Sequence, residues 1–105
     1  MSDPVERQVA SYNDHDLEGF LACFAEDAIV TGPDGSAVMT GLEEIRAQYG
    51  AMFARQAVHA EIVNRLRVGD WVVDHERLSR PGASLEVLVA YEVTGDHITR
   101  MITLR

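Results

Sequence analysis

A chain of 105 residues is read as a single domain spanning residues 1–105, with room for one core. At 47% hydrophobic and 25% charged it has the make-up of a soluble globular protein, which excludes a disordered one. Its 17 acids against 9 bases give a net charge of −8, a field that repels phosphate backbones and anionic bilayers, so neither nucleic acid nor a membrane is an expected partner.

The lone cysteine, Cys23, excludes an intrachain disulfide and a cysteine-based zinc site. No apolar run is long enough to span a bilayer. The opening Met-Ser-Asp-Pro has no basic region followed by an apolar stretch, so no secretion signal is expected and the cytoplasm is the expected compartment.

The first predicted helix starts at Asp3, with Pro4 in its first position and Glu6 placed to reach back in a capping box. Val5, Gln8, Val9 and Tyr12 then share one face. Asp16 is placed to cap a second helix carrying Leu17, Phe20, Leu21 and Phe24. A short strand over Ala28–Thr31, a turn at Gly32–Gly35 and a second short strand over Ala37–Thr40 follow. Thr40 and Glu43 form another capping box, opening a helix whose buried face is Leu42, Ile45, Tyr49, Met52 and Phe53.

After about residue 56 the period falls from 3.6 to 2. Val58, Ala60, Ile62, Leu66 and Val68 alternate with polar residues. Strands are predicted over Trp71–Ser79, Leu85–Val93 and Ile98–Leu104, with short turns between them. Helices first and sequential strands after predict an α+β fold with a mostly antiparallel sheet. The Leu85–Val93 strand is apolar on both faces at its centre, and helices can cover only one of them. A second copy is the simplest cover for the other, with Trp71, Val73, Leu88 and Ala90 at the homodimer interface.

The stretches Asn13–Phe20, Phe24–Ala28, Pro33–Gly35, Gly41–Tyr49 and Tyr91–Ile98 together resemble the nuclear transport factor 2-like superfamily, which includes ketosteroid isomerase-like and polyketide cyclase-like proteins. The resemblance covers essentially the whole chain. It implies the cystatin-like fold: a cone of curved sheet wrapped around about three N-terminal helices, with a deep apolar pocket and dimerisation through the sheet. It does not carry over the isomerase's own chemistry. Gly32 stands where that enzyme has its general-base aspartate, Gln8 where it has an oxyanion-binding tyrosine, and Val89 where it has a protonated aspartate.

The pocket is therefore read from its own polar residues. Asp74 and Glu76 share a strand face that the resemblance turns inward, roughly 7 Å apart. Two carboxylates so placed in an apolar pocket raise each other's pKa, so that one serves as acid and the other as base. The same pattern fits acids left in water at a rim, or acids bonded to arginine or backbone to hold the fold. Asn64 interrupts the inward run and fits either a ligand contact or a strand bulge. Gln8, Tyr12, Tyr49, Tyr91 and Met101 complete the expected ligand-binding set, each with packing as its other reading. His15, His59, His75 and His97 lack metal-ligand spacing, and no glycine-rich phosphate loop is present, so neither metal nor cofactor is expected.

The expected function is binding of a small apolar molecule, with cofactor-free acid–base turnover as an isomerase, hydratase, hydrolase or cyclase. The alternative is a non-catalytic dimeric interaction or ligand-binding module.

Overall fold

The computed structural model describes residues 3–55 and 57–105. The opening Met1-Ser2 and the point of period change at Gln56 lie outside the described residues. The elements are α1 (Pro4–Asn13), α2 (Leu17–Leu21), β1 (Phe24–Thr31), β2 (Ala37–Thr40), α3 (Leu42–Arg55), β3 (His59–Val68), β4 (Trp71–Arg80), β5 (Ala83–Thr94) and β6 (His97–Thr103). The strands form one sheet in the order β2-β1-β6-β5-β4-β3. Only β1 and β6 run parallel.

The sheet is open, which corrects the closed cone expected from the sequence. Its two edges, β2 and β3, each pair with a single neighbour and never with one another. The helices explain this. α1 packs on β3 and β6 while α3 packs on β1 and β2, so the space that closure would need is filled by helix.

Local chemistry starts the helices. Asp3 accepts from the amides of Val5 (2.7 Å) and Glu6 (3.0 Å), satisfying two of the free donors at the start of α1. Glu6 does not reach back; it pairs with Arg67 of β3 instead. Asp16 caps α2 at Gly19 N–H, and a β-carbon at Gly19 would run into the Asp16 carboxylate, so any larger residue there would displace the cap. Ahead of α3 it is Glu44, not the expected Glu43, that returns to Thr40 N–H (2.8 Å). Gly41 between them has φ +84° and donates to the Ala28 carbonyl, a backbone state that glycine adopts without strain.

The core lies between the helices and one face of the sheet. Phe20, Ile45, Tyr91, Ile98 and Val5 are almost fully buried. The rings of Tyr12, Phe20, Tyr49 and Phe53 pack within 4.5–6.5 Å of each other, mostly tilted or edge-on, as the ring quadrupole favours.

A bulge between Ile62 and Asn64 changes the face of everything after it on β3. Asn64 then pairs with His75 and Leu66 with Val73, both on the outer face, while Arg65 pairs with Asp74 on the inner one. The inward run expected through Leu66 and Val68 therefore stops at Ile62, and Leu66 and Val68 are 62% and 68% exposed.

The N-terminal end of edge strand β3 is covered by side chains. Asn13 Nδ2 donates to the Ala60 carbonyl (3.0 Å) and its Oδ1 accepts from Ala60 N–H (2.7 Å). His15, with φ 54°, stacks on Phe53 and contacts the Val58 carbonyl through Nε2 (2.9 Å).

Candidate active site

The inner face of β4 reads Val72, Asp74, Glu76, Leu78, Arg80, because alternate residues share a face. Their in-register partners on β5 are Tyr91, Val89, Val87, Leu85 and Ala83. An apolar wall thus surrounds two acids, with α1 laying Gln8 and Tyr12 over it.

Two cavities follow this wall. The inner one, about 130 Å³, is lined by Gln8, Tyr12, Tyr49, Glu76, Tyr91 and Met101 together with Phe20, Val87, Val89 and Thr103. The outer one, about 270 Å³, is lined by Val58, Arg80, Ser84 and Leu85 near the β4–β5 turn. Tyr12, Met52 and Leu78 line both, so the two are successive chambers with these side chains at the throat.

The two acids have different surroundings. Asp74 is completely buried and lines neither chamber. Arg65 Nε and Nη2 hold its two oxygens at 2.7 and 2.8 Å, a fork-on-fork pair. This pairing keeps Arg65 charged, pushing its pKa further up.

Glu76 is 5% exposed, and among the described residues no cation pairs with its carboxylate. Its partner is the Tyr91 hydroxyl, which donates to Oε2 at 2.9 Å. Burial pushes the Glu76 pKa up to about 7; the Tyr91 hydrogen bond and Arg65 pull it back, and the Asp74 charge pushes the same way as burial. Tyr91 also lies 3.3 Å from Gln8 Oε1. One phenolic proton cannot serve two acceptors fully. When Glu76 is protonated it donates to Tyr91, which donates to Gln8; when Glu76 is ionised, Tyr91 turns its proton to the carboxylate. The Tyr91 hydroxyl thus has two settings, matched to the protonation state of Glu76.

Tyr12 is held more loosely. Among the described residues its hydroxyl has only the Met52 sulfur, at 3.9 Å. Burial raises its pKa, with the Glu76 charge adding, so it stays a phenol and a donor. Burial likewise holds the Tyr49 and Tyr91 phenols protonated.

Of the residues singled out in the sequence, Gln8, Tyr12, Tyr49, Glu76, Tyr91 and Met101 meet around the inner chamber. Asp74 lies behind the wall, and Asn64 is exposed on the opposite face. Arg65 and Arg80 were missed. Nothing in composition marks Arg65, because its inward direction depends on the bulge. Arg80 continues the alternation of Asp74, Glu76 and Leu78 and could have been read from it. Among the described residues no group of three His, Cys, Asp or Glu side chains is placed to hold a metal ion, and no helix is long and apolar enough to cross a membrane.

The model of the SnoaL-like domain matches residues 5–101. Among solved structures, an uncharacterised cystatin-fold protein from Novosphingobium aromaticivorans is 28% identical, with a TM-score of 0.88 over 97% of this chain and 95% of that one. A candidate polyketide cyclase from Sinorhizobium meliloti is 20% identical, with a TM-score of 0.84 over 98% and 94%. A candidate ketosteroid isomerase from Kribbella flavida is 18% identical, with a TM-score of 0.84 over 95% of this chain and 73% of that one. The last two likenesses are likenesses of fold.

Proposed function

Because this chain belongs to the SnoaL-like domain family, with a nuclear transport factor 2-like, ketosteroid isomerase-like fold, we propose that it binds a small apolar molecule and turns it over as a cofactor-free acid–base enzyme. The observation that carries this reading is Glu76: a carboxyl group in the wall of an apolar chamber, with no cation paired to it among the described residues and a pKa of about 7. A group poised there is populated in both protonation states at neutral pH, which general acid–base catalysis requires.

The step that fits is proton transfer at a carbon beside a carbonyl, shared by isomerases and cyclases. Glu76 takes the proton and later returns it. Tyr12 donates to the oxygen on which charge develops, giving up its weak contact with Met52. Tyr91 and Gln8 move the hydroxyl proton to match the state of Glu76. Gly32 and Val89 leave the aspartates of the steroid isomerase without counterparts, so the reaction runs from a different carboxyl group. Asp74 and Arg65 hold the strand that presents it. Two copies pack through the outer sheet face, which carries Trp71, Val73 and, opposite His75, the 39% exposed Leu88.

Deuterium exchange beside the carbonyl of a panel of apolar ketones and β-keto esters, followed by NMR in D2O, tests this. Exchange by the parent that rises through pH 7 and is lost in Glu76→Gln is the expected result. Ligand binding seen by thermal shift, with no exchange in either protein, replaces this reading with that of a ligand-binding module.

A further inference from the structure

The outer chamber is mostly apolar, with Ser79, Ser84 and one charge in its lining among the described residues. Val58, Met52, Leu78 and Leu85 line it, Leu85 being 62% exposed at the mouth, and Arg80 is the single charged residue of its lining among the described residues. Among the described residues Arg80 makes no ion pair. In a chain of net charge −8 the approach to most of the surface repels an anion; here an unpaired guanidinium stands at the opening of an apolar passage.

The far end of the passage has the opposite character. Glu76 lies four residues before Arg80 on the same face of β4, roughly 13 Å away. An anion cannot settle beside a buried carboxylate without cost, so a molecule carrying one is oriented with its charge outward.

We propose that the ligand of this site is an anionic amphiphile about 13 Å long. Its carboxylate is held at the mouth by Arg80, its apolar body fills the outer chamber, and its far end reaches Glu76 and Tyr91. This rests on the reading of the chambers as a small-molecule site and adds the class of molecule and its direction of entry. Arg80 acts as a specificity-determining residue and takes no part in the chemistry.

Calorimetric titration with decanoate and with its uncharged analogue decanamide separates charge from apolar contact. The parent should bind decanoate about two- to fivefold more tightly, the range for an exposed Arg–carboxylate pair. Arg80→Gln should erase that preference while decanamide binding stays unchanged, and added salt should erode it in the parent alone. Glu76→Gln should keep the preference. Equal binding of the two compounds by the parent, or a preference that survives in Arg80→Gln, overturns the proposal. Failure of both compounds to bind overturns it as well. The acid–base reading is judged separately, by carbon–hydrogen exchange at Glu76, so the two can fail independently.

Discussion

Arg65 and Asp74 face one another in register across β3 and β4, and the guanidinium takes both carboxylate oxygens. That one pairing separates two acids that are two residues apart on the same face. Asp74 has a dedicated cation and lies behind the wall; Glu76 has a phenol and a cavity. A pair of like acids in sequence becomes, in the fold, one ion-pair anchor and one group able to titrate near neutrality.

Asp74→Asn leaves a guanidinium that is 19% exposed, with Glu6 3.9 Å away as its remaining ion-pair partner among the described residues and the Asp3 charge beyond it. The expected cost is about 3 kcal/mol, at the lower end for breaking a buried pair. Urea denaturation measures it. Adding Arg65→Met to Asp74→Asn should recover part of the loss, because the orphaned charge is gone, and a double-mutant cycle reads that coupling.

Glu76 sets a pH dependence whose direction follows from its raised pKa. Between the usual 4.5 and about 7 the folded state keeps a proton that the unfolded chain has lost. Stability therefore falls as pH rises through this window, by up to about 3 kcal/mol, and levels off above it. Glu76→Gln removes the titrating group. Denaturation at a series of pH values should show the parent's decline flattened in the variant, which becomes the more stable of the two at pH 8.

Part of this site was open to inspection in the sequence. The caps at Asp3 and Asp16 are side-chain events settled within four residues, and the alternation that placed Glu76 inward runs unbroken through β4. What the sequence hid is long-range. The bulge at Ile62–Asn64 inserts Val63, an ordinary strand residue, so no signal announces that Asn64 turns out and Arg65 turns in. The early start of β1 at Phe24 depends on its pairing with Ile98, 74 positions along the chain, across a stretch that looks helical locally. The open sheet depends on where helices pack, which no window of sequence contains.

Cys23 is 2% exposed, its thiol donates to the Gly19 carbonyl, and burial pushes its pKa up against a smaller pull from Arg7. Disulfide reagents attack the thiolate, so at pH 8 labelling should proceed no faster than unfolding exposes the side chain. Labelling in increasing urea, followed optically, should track the fraction unfolded.

On the outer sheet face, Leu66 and Val68 lie exposed beside Val73 and Trp71, and Leu88 lies exposed beside His75, with Arg77–Glu61 and His75–Glu86 pairs alongside. Ala90 is already buried within its own chain and adds little there. Sedimentation at tens of micromolar should find a dimer, and Leu88→Lys, which places a cation on that face, should shift it to monomer.

The grip of Asn13 on Ala60 has a consequence for how copies of this chain can meet. An amide side chain offers the same donor and acceptor as a peptide bond, and here it is spent on both backbone groups of one residue at the margin of the sheet. To an arriving strand that margin reads as taken, and a few residues further on the bulge spoils the spacing that pairing would need. At the other margin β2 offers four residues, too short a rail to dock on. Copies that concentrate can press their broad surfaces together, but a strand zipping along the β3 seam from its start meets the Asn13 clasp first, so pairing from that end waits until the clasp opens.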